Sequence, residues 1–283
     1  MRHRQDRHAP RYIPIRDLGH GGGANNLGMS LVQCTQTQTV LLRKKVAHPN
    51  GQYEAHFLDR LKRLPNIMRL HDYNPHPRAG IDELYFEYCE YGTLAQVRRR
   101  HVTQHTRIPE SFIWRVLLSV GKALEGCHTG LGARGWTPIL HTDVHLGNIL
   151  LGAPSSRNNR DPRIVLADFG RARLVSSRRE LYDDIAMLGF MIYEFCQIRS
   201  SITEVLQEVM AGRALWAYSS KLLEVLDMLR SYQDPRRPVE PRWQADPRRP
   251  ILPKMDIVEL LAWIERRRDR ARMREHGNVI LLR

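Results

Sequence analysis

Cysteine is scarce. Four residues (Cys34, Cys89, Cys127 and Cys196) lie far apart in 283, with no CxxC pair. That spacing excludes a zinc ribbon and a disulfide-stapled secreted scaffold, and points to a reducing, cytoplasmic or nuclear setting. No apolar run approaches the ~20 residues that span a bilayer, so no membrane partner is expected. Residues 1–8 lack the apolar centre of a signal peptide. Acidic residues are also few: 30 against 44 Lys and Arg leave a formal charge of +14. Such an excess invites a nucleic-acid reading, because Lys and Arg release counterions from phosphates. The densest clusters are Arg98, Arg99 and Arg100, and the group Arg266, Arg267, Arg268, Arg270, Arg272 and Arg274. They carry no interleaved aromatics and no base-reading motif, so solvated helix faces are the preferred reading and a nucleic-acid partner is not expected. An apolar content of 42% is enough for a real core and excludes wholesale disorder.

The length allows one large domain or two lobes. Residues 1–10 read as a basic, frayed N-terminus. Residues 27–33 and 39–46 read as a hairpin around the polar turn 35–38. Residues 54–64 carry Phe57, Leu58, Leu61 and Leu64 at helical spacing. Residues 67–73 and 83–88 read as further strands, parted by a Pro/Gly/Asn-rich loop at 74–80. Beyond Leu94 the period is helical. Ile113, Val116, Leu117, Val120, Leu124 and Cys127 trace one buried face, with Ser111 as its expected cap. Residues 164–167 form a short apolar strand; 185–195, 222–229 and a last stretch from Ile257 to Ile264 read as helices. Between the last two, residues 234–253 read as an irregular Pro/Arg-rich loop in which Asp-Pro-Arg-Arg-Pro occurs twice. Two copies are too few for a solenoid.

Three constellations carry chemistry. Leu18-Gly19-His20-Gly21-Gly22-Gly23-Ala24 precedes a strand, and glycines let backbone N–H groups approach a phosphate. No Gly-Lys-Ser/Thr follows, and a strand rather than a helix comes next, which excludes both a Walker A loop and a Rossmann turn. On the strand 40–46, Lys44 or Lys45 can hold polyphosphate oxygens, and Glu54 on the next helix can fix that cation. The third is His141-Thr142-Asp143-Val144-His145-Leu146-Gly147-Asn148, followed by Asp168-Phe169-Gly170. Asp143 can accept a hydroxyl proton. Asn148 and Asp168 offer the hard oxygens that Mg²⁺ prefers. Zinc at His141 and His145 fits worse, for want of a Cys or third His at suitable spacing.

These residues carry a resemblance. From about Tyr12 to the last helix, the chain resembles the eukaryotic protein-kinase superfamily, in particular divergent protein-kinase-like sequences of fungi. His141-Thr142-Asp143 with Asn148 is similar to the catalytic loop H-R-D-x-x-x-x-N, and Asp168-Phe169-Gly170 to the metal-binding D-F-G. The resemblance implies an α+β, two-lobed fold: a small antiparallel-sheet N-lobe over residues 11–88 and a mainly helical C-lobe over 89–283. It implies ATP and Mg²⁺, a Ser/Thr-type protein substrate, and transfer of the γ-phosphate to a hydroxyl. Leu18, Gly19, Gly21 and Gly22 would cover the phosphates. Lys44, paired with Glu54, would position them. The backbone of Glu87 and Cys89 would meet the adenine, with Phe86 as gatekeeper and Leu150 beneath the ring. Asp143 would be the catalytic carboxylate, Asn148 and Asp168 the metal ligands, and Asp184 the anchor of the catalytic loop.

The departures keep two rivals open. Ala24 stands where a third glycine is expected, Thr142 where an arginine precedes the catalytic Asp, and His145 where a lysine follows it. Without that arginine, the switch by a phosphorylated activation loop loses its reader. Asp168 and Asp184 are only sixteen residues apart, and no Ala-Pro-Glu lies between them. The run His145-Leu146-Gly147-Asn148 also resembles small-molecule phosphotransferases of the same fold. The truncations also suit a pseudokinase, a non-catalytic binding module.

Overall fold

The computed structural model describes residues 11–19, 26–154, 161–197, 218–232, 254–271 and 282. The expectations for residues 1–10, for Gly21, Gly22 and Ala24, and for 234–253 lie outside the described residues. The chain divides into two compact units, residues 1–62 with 68–88, and 63–67 with 89–283.

The first unit is a five-stranded antiparallel sheet in the order β1-β2-β3-β5-β4. Its strands are β1 (Tyr12–Gly19), β2 (Asn26–Cys34), β3 (Val40–Ala47), β4 (Leu70–His76) and β5 (Ile81–Glu87), with helix α1 (Asn50–Leu61) between β3 and β4. Strand alternation gives the sheet two different faces. Val32, Cys34, Leu41 and Tyr85 cluster on one, and Tyr12 stacks on Tyr85 with ring centroids 3.9 Å apart. Lys44 lies on the other.

Two local expectations are corrected. Helix α1 begins at Asn50 rather than near Glu54. The carboxylate of Asp82, fully buried, accepts from Gly51 N (3.1 Å) and so satisfies an orphan N–H of the first turn. A Cβ at residue 51 would stand 2.4 Å from that of Asp82, so only glycine fits. The expected strand at 67–73 lies at Leu70–His76 instead. Pro75 is tolerated there because β4 is an edge strand and needs fewer ladder donors. Ile67 meanwhile bridges Leu166, and Asn66 Nδ2 donates to Ile164 O at 2.8 Å, which is why residues 63–67 group with the second unit.

The second unit is mainly helical: α2 (Leu94–Thr103), α3 (Glu110–Thr129), α4 (Leu181–Cys196), α5 (Ser220–Arg230) and α6 (Ile257–Arg270). Two short hairpin-like ladders join them: β6 (Ile139–Leu140) with β9 (Arg173–Leu174), and β7 (Ile149–Gly152) with β8 (Arg163–Leu166). Helix α3 is the core, with Phe112, Ile113, Val116, Leu117, Val120, Leu124 and Cys127 all buried. Its N-cap is Pro109, not Ser111. The first turn is fixed from within: buried Glu110 accepts from Trp114 Nε1 at 2.9 Å and from Ser219 N at 2.8 Å. Among the described residues, no helix is long and apolar enough to cross a membrane.

Candidate active site

In the first unit, Lys44 Nζ lies 2.9 Å from Glu54 Oε2, with the glutamate side chain only 2% exposed. Lys45 points to the opposite face and pairs with Glu83 at 3.4 Å. Of the two lysines, Lys44 is the one Glu54 holds. Asp82, by capping α1, fixes the helix that carries Glu54 one turn later. His48 Nδ1 sits 2.9 Å from the same carboxylate. Gly19 ends β1 with φ +76, and its N–H donates to Asp17 Oδ1. Leu18 is exposed, and Phe86 is buried on β5. Glu87 is held to the edge strand's approach: its N–H donates to Arg69 O and its carboxylate accepts from Arg69 N.

In the second unit, Cys89 is buried, and its carbonyl accepts from Gly92 N. Leu150, half-buried on β7, bridges Thr93. Thr93 and Gln96 form a reciprocal capping box that starts α2.

The loop from His141 to Asn148 is built around two buried groups. His141 Nδ1 accepts from Asp143 N (3.2 Å), which leaves Nε2–H to donate to Ala167 O at 3.0 Å. Burial pushes its pKa down, outweighing nearby carboxylates. Both nitrogens of this neutral ring are used inside the fold, so His141 is no metal ligand. Asp184, on α4, accepts from His141 N (2.9 Å), Thr142 N (2.9 Å) and His128 Nε2 (3.1 Å). Its burial works to raise its pKa, but the His128 hydrogen bond and charge outweigh that and hold the carboxyl below its ordinary value.

Two consequences bring the chemistry together. First, the β7–β8 ladder is continued by Ala167 N donating to Asn148 O (2.9 Å), so Asn148 and Asp168 sit at one end of one ladder. Second, Asn148 Nδ2 donates to Asp143 O (2.9 Å) and reaches Asp143 Oδ2 at 3.3 Å. With its nitrogen so engaged, the amide presents its oxygen as the remaining donor atom. A carboxamide oxygen and a carboxylate are a hard donor set, which fits Mg²⁺ better than a softer ion. Asp168 takes φ +64 and does not cap the short turn it precedes. Thr142 also takes φ +64, a costly state for a β-branched residue. Its N–H to Asp184 and its Oγ1 donating to Arg171 O (2.8 Å) hold it there.

His145 does not stand free. Its Nδ1 accepts from Gly147 N at 3.0 Å, and its Nε2 lies 3.8 Å from Asp143 Oδ2. A Cβ at residue 147 would come within 2.8 Å of the His145 ring. Gly147→Ala is therefore expected to swing His145 off its cap, and to lower transfer activity about tenfold or more through the displaced Asn148. Steady-state kinetics against the unaltered chain would show it; equal rates would mean that the loop tolerates a shifted ring.

Sequence reasoning did not find Arg171, whose Nη1 lies 3.5 Å from Asp143 Oδ1, nor the Thr142–Arg171 bond. No motif marks them, because both depend on how two loops meet.

A five-stranded antiparallel sheet with one helix, followed by a mainly helical unit carrying this loop, is the two-lobed protein-kinase fold. Residues 18–232 match the family model described as protein kinase domain, and the chain belongs to that family. It is 27% identical over 216 residues to the serine/threonine-protein kinase Nek2 of Homo sapiens, covering 65% of this chain and 46% of that protein. It is 25% identical over 284 residues to the G2-specific protein kinase nim-1 of Neurospora crassa, covering 81% and 32%. The chain thus spans about half the length, or less, of these curated relatives.

Proposed function

We propose that the chain is an ATP-dependent protein kinase that transfers the γ-phosphate to a serine or threonine hydroxyl. The joint anchoring of Asp143, Asn148 and Asp168 at one end of the β7–β8 ladder supports this most directly. Asp143 orients the acceptor hydroxyl and takes its proton. Lys44, aimed by Glu54, holds polyphosphate oxygens, under the cover of Leu18 and Gly19. The backbone of Glu87 and Cys89 and the side chain of Leu150 contact the adenine. Asn148 and Asp168 hold Mg²⁺, which when bound offsets charge on the phosphates. The work of these residues is positioning and electrostatics, with little covalent chemistry.

A second reading, transfer to a small alcohol, is favoured by one observation. Only residues 175–180 connect β9 to α4, which leaves little chain to build a platform for a peptide.

The first test is thermal. ATP with Mg²⁺ at about 100 times its Kd should stabilise the protein by about 2.7 kcal/mol. Omitting Mg²⁺, or replacing Lys44 with Met, should shrink that gain. Labelled ATP is then offered with generic proteins, and separately with small alcohols. Label on protein Ser or Thr supports the first reading; label on small alcohols alone moves the assignment to the second. Nucleotide binding without turnover on any acceptor would leave a binding module.

A further inference from the structure

The segment after Asp168 is short, and its charge is one-sided. Residues 169–180 hold four arginines (Arg171, Arg173, Arg178 and Arg179) against one acid, Glu180. Arg173 pairs with Glu180, which uses up that acid. Arg178 and Arg179 are exposed and have no ion-pair partner among the described residues. Arg171, 73% exposed, reaches only the Asp143 carboxylate among the described residues.

The segment is also held in place, and both of its ends are tied to the catalytic loop. At one end Leu174 and Arg173 pair with Ile139 and Leu140, directly before His141, and Val175 N donates to Pro138 O at 3.1 Å. At the other end Asp184 grips the amides of His141 and Thr142. Arg179 precedes Asp184 by five residues, about 8 Å along a helix axis. Between these anchors, Ser177 Oγ accepts from Arg179 N, and Ser177 O from Glu180 N, so a capped turn presents the two arginines. A charge run on a surface is ordinarily just solvated. Here Arg171 stands beside the Asp143 carboxylate, and the run's one acid, Glu180, is already taken by Arg173.

We propose that this segment selects acceptors whose hydroxyl is flanked by anionic side chains. The proposal rests on the phosphotransferase reading of the same site and names its substrate class. When an acceptor hydroxyl engages Asp143, Arg171 gains a partner in a flanking anion. Arg178 and Arg179 take a second one further along the peptide. The same charges repel a basic peptide, and specificity needs that repulsion as much as the attraction. The anion is a carboxylate or a phosphate.

The test uses the full chain and four peptides that share one serine: flanked by Glu, by phosphoserine, by Ala, or by Lys. The Glu or phosphoserine peptide should exceed the Ala peptide about tenfold in kcat/KM at low salt, with Lys lowest; the two anionic arms tell carboxylate from phosphate. Exposed ion pairs give only small factors each, and salt screens them, so raising ionic strength should flatten the ranking. In Arg178→Glu/Arg179→Glu, the anionic-over-neutral ratio should fall close to one. Comparing a ratio keeps the result independent of how much protein folds. Equal rates on all four peptides, or a ratio unchanged in the double variant, would overturn the proposal. So would equal competition by a DNA oligonucleotide, which would mark a general polyanion surface. Peptide binding is measured alongside. Salt-sensitive binding of the anionic peptides with no transfer would sink the phosphotransferase reading while the surface stands; neither binding nor transfer would sink both.

Discussion

Asp143→Asn is expected to lower phosphoryl transfer by about 10²- to 10⁴-fold, the range typical of a lost general base. Under the proposed assignment nucleotide binding should persist, because Lys44, Asn148 and Asp168 remain. The asparagine is nearly isosteric, and the backbone contacts survive: Asn148 Nδ2 still reaches residue 143 O, and the residue 143 N–H still meets His141 Nδ1. What disappears is the negative charge and the atom that accepts a proton. Arg171 and His145 both approach that carboxylate, one at each oxygen, so its charge also organises its neighbours. Radiolabel transfer and the thermal shift with ATP·Mg²⁺, measured on the same preparation, give the two readouts. Turnover that survives the substitution would place the base elsewhere.

Asp184→Ala should have the largest effect on stability, about 3–5 kcal/mol, as expected when one partner of a buried polar pair is removed. Two backbone N–H groups and the His128 ring lose their acceptor together. His128 has no second partner to turn to among the described residues, since its Nδ1 is buried without a hydrogen bond. The catalytic loop should loosen in proportion, so activity falls beyond the loss of folded protein. Urea unfolding at neutral pH checks the magnitude; a loss below about 1 kcal/mol would mean that water replaces the carboxylate.

The same network sets a pH dependence. The Asp184 pKa is depressed in the folded state, so its contribution is present above the unfolded value near ~3.9 and is lost as pH falls through the folded one. The His141 pKa is depressed as well, by burial. Its neutral ring therefore contributes fully above ~6.5, and that contribution drains away as the pH drops below it. Stability of the unaltered chain should fall in two stages on acidification, and Asp184→Ala should lack the lower one.

The legible parts of this sequence were those with a local signal. Helix α3 announces itself through a continuous apolar stripe. Asp143, Asn148 and Asp168 stand out because their types and spacing, with Phe169 and Gly170, follow a recognisable motif pattern. Other parts depend on partners distant in sequence. The start of α1 is hidden in the polar run Asn50-Gly51-Gln52, since its cap, Asp82, lies thirty-one residues away. Strand alternation allowed either Lys44 or Lys45, and only the position of Glu54 separates them. Ser111 has the chemistry of a cap, but Pro109 already opens the helix with an extended backbone. Arg171 lies twenty-eight positions from Asp143, and no periodicity could pair them.

The bond from the Thr142 hydroxyl to the Arg171 carbonyl is made of groups that leave the ribosome already in their working form. Neither titrates in the physiological range, and neither waits for a modifying enzyme. That bond joins the catalytic loop to the segment after Asp168 using only a side-chain hydroxyl and a main-chain carbonyl.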